Sequence, residues 1–153
     1  MAGYGCAKGQ FTPSTTQNLV LDASVTAGNY AKMTKVTWGG ELTASTASRT
    51  RWTRPTTAGS STFTADPIQS NHPSNTPRLR TGTFATVPTL ASASQALLAI
   101  SWNKHGGGGI WSASQPDEEW VVLNGVSQGQ IVCAQDTDIS NNSMSTSMHW
   151  RED

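Results

Sequence analysis

Few residues in this chain belong to types that run chemistry, and their spacing argues against most of it. His72, His105 and His149 are the only imidazoles. None stands at the i, i+4 helical or i, i+2 strand spacing that would bring two rings onto one metal, so each reads as a surface or loop histidine. The run Gly106-Gly107-Gly108-Gly109 suggests a phosphate cradle, but such a cradle needs Lys-Ser or Lys-Thr after its last glycine and then a helix. Here Ile110-Trp111 follows, and a flexible hairpin loop between two strands is the better reading. Asp136-Thr137-Asp138-Ile139-Ser140-Asn141 opens like a calcium loop, with oxygen ligands at alternate positions. It departs from one at Asn141, where the loop needs glycine, and at Ser147, where a bidentate Glu would close it. Asp117-Glu118-Glu119 offers carboxylates for acid–base work, yet behind Pro116 they read as solvating a turn. No Gly-x-Ser-x-Gly elbow occurs, and no Ser or Cys is paired with a His in an activated arrangement. The expectation is a domain that is not an enzyme, with no catalytic residue, cofactor or metal.

Arg49, Arg51 and Arg54 surround Trp52, and Arg78 and Arg80 repeat the theme. Arg and Trp are favoured where proteins touch, although the same Arg stems would also serve to cover an exposed apolar strand face. The formal net charge is zero and the pI is near 6.8. No overall field therefore draws the chain onto nucleic acid or an acidic membrane, and protein contact ranks above both.

The elements that position these residues read as strands. Leu19-Val20-Leu21 is one, closed by Asp22 and an Ala27-Gly28-Asn29 turn. A longer one spans Lys32 to Leu42, with Thr34, Val36, Trp38 and Leu42 on one face and a bulge or close approach at Gly39-Gly40. Arg49 to Arg54 alternates until Pro55 stops it, which suits a strand near a sheet edge. Thr56 to Pro88, cut by Pro67, Pro73, Pro77 and Pro88, reads as loops around a short strand at Leu79 to Ala85. Then come Ala96 to Trp102, Gly109 to Ala113, Trp120 to Leu123, Gln130 to Ala134 and Ser143 to Arg151, at the density of a sandwich or barrel. In the last, Met144, Thr146, Met148 and Trp150 face one way and Ser143, Ser145, Ser147 and His149 the other. Residues 1–17 show neither period and read as an extended N-terminal arm ahead of one β-sandwich domain, 18–153.

Composition agrees: Ser plus Thr make up roughly a quarter of the 153 residues, six are Trp and only 13% are charged, which favours strands over solvated helices. With 35% apolar residues the chain has the means to build a core. The N-terminus lacks the pattern of a signal peptide and no stretch has the length of a membrane span, so a soluble, unexported protein is expected. Cys6 and Cys133 make no disulfide framework and read as free thiols.

As a whole the chain resembles the small jelly-roll proteins that decorate or cement tailed-bacteriophage capsids. The resemblance rests on the arm before Leu19, Lys35-Val36-Thr37-Trp38, the Ser/Thr-rich connectors, Leu97-Leu98-Ala99-Ile100-Ser101-Trp102, the Gly-rich loop before Ile110-Trp111, and a last strand running into Trp150-Arg151-Glu152-Asp153. It implies an antiparallel jelly-roll sandwich of about eight strands, made in the host cytoplasm and located on the capsid surface of the virion. The implied partners are the major capsid protein and further copies of the chain, as a dimer or trimer. Phe11 on the arm, Arg49, Arg51, Trp52, Arg54, Arg78, Arg80 and Trp150 are then the interface candidates. Two other classes share such strand patterns. One is a carbohydrate- or receptor-binding module, such as a tail or fibre head, stacking ligand on Trp111 and Trp120. The other is a hydrolase setting Asp117 to Glu119 against Asp136 or Asp138.

Overall fold

The chain's strongest alternation organises its fold. In the computed structural model Met144, Thr146, Met148, Trp150 and Glu152 are buried, while His149 between them is exposed. This strand, β14 (Met144–Glu152), lies between β1 (Ala2–Phe11) and β3 (Tyr30–Gly40), antiparallel to both. The structure describes residues 2–11, 19–23, 30–40, 47–57, 63–65, 68–71, 76–84, 89–90, 95–103, 105–123, 129–135 and 144–152.

The remaining strands are β2 (Leu19–Ala23), β4 (Ala47–Thr53), β5 (Pro55–Thr57), β6 (Phe63–Ala65), β7 (Gln69–Ser70), β8 (Leu79–Phe84), β9 (Thr89–Leu90), β10 (Leu98–Asn103), β11 (Gly108–Ser112), β12 (Trp120–Leu123) and β13 (Ile131–Gln135). One sheet has the order β11-β3-β14-β1-β7, with β12 also on β3; the other runs β10-β4-β13-β2-β8-β6; β5 and β9 form a separate pair. Without β5 to β9, which all fall between β4 and β10, the pairing is nested. First joins last (β1 with β14), second joins penultimate (β2 with β13), β3 takes β11 and β12, and β4 takes β10. Folded over into two sheets, that antiparallel nest is an all-β sandwich of jelly-roll type, as expected, but it is cut into fourteen strands among the described residues where about eight were expected.

The core lies between the sheets. Tyr4, Met33, Val36, Trp120, Met148 and Trp150 come from one sheet and Trp52, Leu79, Ile131 and Cys133 from the other. Burying each of the large side chains contributes roughly 1.5–3 kcal/mol. Trp52 and Trp120 meet across the layers with ring centroids 6.3 Å apart, and Cys6 Sγ lies 3.2 Å from Thr81 Oγ1. Both cysteines are buried and neither is in a disulfide. Among the described residues no helix is long and apolar enough to cross a membrane.

Four local expectations change. The segment read as an arm contributes residues 2–11 to the interior of a sheet, with Tyr4 and Cys6 in the core; residues 12–17 lie outside the described part. A Cβ on Gly5 would sit 3.2 Å from His149 Nδ1 and one on Gly3 3.0 Å from Asn71 Nδ2. The neighbours are exposed side chains that must give by a few tenths of an ångström to admit a Cβ, and with no side chain at either position the glycines erase the alternation. Strand β4 is not at an edge, since β10 and β13 flank it, and Pro55 opens β5 instead of facing solvent. In β3 an irregularity places His149 opposite Lys35 but Trp150 opposite Met33, so Met33 and Val36 both point inward and Thr34 does not join them; Leu42 lies outside the described residues. Finally, the glycine run is not a loose loop. Gly106 turns at φ 68°, Gly108 and Gly109 belong to β11, and the Trp38 indole occupies the space a Cβ on Gly109 would need.

Candidate functional site

Strand alternation splits the Arg-Trp group into two faces. Thr50 and Trp52 point into the core, with Trp52 fully buried, while Arg49 stands exposed and Arg51 half-buried on the outer face of β4. On the neighbouring β10, Ser101 lies opposite Arg49 and Ala99 opposite Arg51, both exposed. The two arginines thus share this outer face with small residues, Arg51 lying lower than Arg49 with its Nε buried. Arg54 serves differently: its Nη2 donates to the Val121 carbonyl at 2.8 Å, tying the end of β4 to β12 of the other sheet. Burial pulls its pKa below the usual arginine value.

Trp150 is a core residue rather than a contact residue, stacked on Tyr4 at 5.9 Å, and the same correction applies to Trp52. Arg78 is exposed, and Phe11 and Arg80 are placed by backbone register alone, opposite Met144 and Asp22. Among the candidates whose side chains are described, Arg49 and Arg51 are the pair that the fold sets on one outer face.

The acidic turn is occupied structurally. Glu118 Oε2 accepts from the Ser114 hydroxyl and amide, both at 2.7 Å, and from the Gln115 amide at 3.3 Å. These bonds, the Ser114 hydroxyl foremost, hold its carboxyl below the usual range. Glu119 forms a two-pronged ion pair with Arg151, with Nη2 to Oε2 at 2.8 Å. Asp117 is exposed; Asp136 and Asp138 lie outside the described residues. Trp111 and Trp120 stack on each other at 3.9 Å; Trp120 is only 8% exposed and belongs to the core, and the partly buried Trp111 packs against that core. His105 and His149 are exposed and separate, and His72 is outside the described residues. Among the described residues no group of three His, Cys, Asp or Glu is placed to hold a metal. An open depression of about 520 Å³ lies on the outer face of the first sheet, at Gly3 and Gly5, bordered by Thr34, Asn71, His149 and Arg151.

Glu152 is a structural group whose role its residue type alone does not announce. It is 6% exposed, and its Oε1 accepts from the Leu79 amide at 2.9 Å and from the Trp150 indole at 3.1 Å, while the Arg78 amide donates to both oxygens at 2.9 Å. Extending the alternation of Met148 and Trp150 by one step would have placed it inside. What it bonds there depends on β8, which no local pattern supplies.

No protein-family model, curated protein or solved structure matches the chain.

Proposed function

We propose that this chain is a structural component of a virus particle, a decoration protein that sits on the outside of a phage capsid, binds the major capsid protein and stabilises the shell without catalysis. The observation that carries this reading is the nested jelly roll whose interior is built from Trp52, Trp120 and Trp150, with Trp38 and Trp111 packed against them, which leaves outer surfaces as the means of action. The contact patch is the outer face of β4, where exposed Arg49 and half-buried Arg51 lie beside the small residues Ala99 and Ser101. Arginine on a low surface can fork onto carboxylates of an assembled shell. A protein that binds the closed shell better than its dissociated subunits stabilises it by mass action.

The glycan reading is less well supported, because Trp111 and Trp120 face the core. The hydrolytic reading is weaker still, because Glu118 and Glu119 are committed to a turn and an ion pair. The test is to look for the chain in gradient-purified particles by mass spectrometry, and to add purified protein to stripped shells. The proposal expects co-sedimentation with shells and a raised shell disruption temperature, both reduced by Arg49→Glu with Arg51→Glu. Absence from particles, or shells indifferent to the protein, overturns it.

A further inference from the structure

The two lateral sides of the sandwich are finished differently. On one side the sheets end in β6 and β7, strands of three and two residues, the short edges by which proteins discourage further strand pairing. On the other they end in β10 and β11, six and five residues long and joined by the short connection 104–107. Leu98-Ala99-Ile100-Ser101-Trp102-Asn103 and Gly108-Gly109-Ile110-Trp111-Ser112 contain no Asp, Glu, Lys, Arg or Pro. Among the described residues each strand pairs on one side only. The adjoining β12 is treated otherwise, since Arg54 caps its Val121 carbonyl. Exposed apolar residues stand along this side: Leu97, at 37%, leads into β10, Ile110, at 59%, projects from β11, and Leu123, at 42%, ends β12.

From this asymmetry we infer that the β10–β11 side is a self-association surface, on which a second copy of the chain docks about a two-fold axis and continues both sheets. A lone strand from another protein would pair with one edge and leave its neighbour open. A second copy brings the matching pair, and an axis normal to the sheets sets β10 antiparallel to its counterpart and β11 likewise. Neither edge carries charge, so like meets like without repulsion. Ala99 and Ser101 are small enough to let backbones approach.

The inference does not depend on the virion reading. A dimer absent from particles would sustain it and sink the other; a monomer found in particles would do the reverse. Sedimentation velocity on the purified chain from about 1 to 100 µM should show a reversible dimer with a dissociation constant in the micromolar range. Ser101→Lys with Ile110→Lys places charge on exposed edge positions. The double variant should keep the wild-type Tm and weaken the dimer by roughly tenfold or more. Amide exchange at Leu98 to Ser101 and Gly108 to Ser112 should slow as wild-type concentration rises. Should the double variant misfold, Ala99→Lys alone, read by the same exchange, replaces it. A wild-type monomer at about 100 µM, or a dimer unaffected by the lysines, overturns the inference.

Discussion

Replacing Glu152 by alanine tests whether one side chain fastens the two sheets of the jelly roll. The carboxylate sits on β14 of one sheet and receives the backbone amides that open β8 of the other. Alanine strands two buried donors, the amide of Leu79, a residue 1% exposed, and the indole N–H of Trp150, a residue 2% exposed. An unsatisfied buried donor costs about 1–3 kcal/mol, while the Arg78 amide, on an exposed residue, can turn to water for less. Two such donors sum to about 2–6 kcal/mol, and the middle of that range, about 3–5 kcal/mol, is a large share of the roughly 5–15 kcal/mol that holds an ordinary domain together. With a urea dependence near 2 kcal/mol per molar, the midpoint should fall by about 1.5–2.5 M. Glu152→Gln keeps one acceptor oxygen but turns an N–H2 toward donors, so it should cost less, about 1–2 kcal/mol. Urea titration followed by Trp fluorescence measures both, and the glutamine variant supplies the answer if the alanine variant does not fold. A loss below about 0.5 kcal/mol for alanine, or glutamine costing as much as alanine, would refute the clasp.

Three further outcomes follow from the geometry. Gly109→Ala drives a methyl into the Trp38 indole and should cost roughly 1–3 kcal/mol, a Tm drop on the order of 3–10 °C by calorimetry. Trp120→Ala removes contacts with both Trp111 and Trp52 and should destabilise by about 3–5 kcal/mol in denaturant titration, whereas a solvent-facing ligand platform there would leave stability nearly unchanged. Burial, with the Glu152 carboxylate adding to it, pushes the Tyr4 phenol above the ordinary tyrosine value. The unfolded chain therefore loses that proton first, so the contribution is intact below about pH 10 and is lost as pH climbs through the folded value. Tyr4→Phe should flatten that alkaline loss, as read from unfolding midpoints between about pH 8 and 11.

Legibility in the sequence followed the contrast between neighbouring side chains. In β14, Met and Trp alternate with Ser and His, and its burial follows that reading residue by residue. In β12, Trp120 to Leu123 begins and ends where expected. Contrast fails in β1, where Gly3 and Gly5 have no side chain to mark the outer face, so Tyr4 and Cys6 stood as two isolated points. It misleads in β3, where the irregularity near Thr34 shifts the phase and a correct strand acquires the wrong inner face at one end. Arg49 and Arg51 suggested an edge because charge is common there, but in β4 they need only a solvent-facing side of an interior strand. Trp52 and Trp150 looked like contact residues for their type alone; which face they took depended on neighbours far away in sequence. The Glu152 clasp is the extreme case, as its backbone donors, the amides of Arg78 and Leu79, lie more than seventy residues from it.

The nested pairing also has a timing consequence. Strands β1 and β3 never touch each other in the finished sheet, because β14 lies between them, and bonds such as Thr34 to His149 close over 115 residues of sequence. At a synthesis rate of roughly 5–20 residues per second, the early strands wait on the order of 5–20 s for the one that joins them. Throughout that interval Met33, Val36 and Trp38 stand without the Met148 and Trp150 that later cover them. The early strands are therefore when the nascent chain most needs shelter from wrong partners, and the slow step of folding should be the insertion of β14.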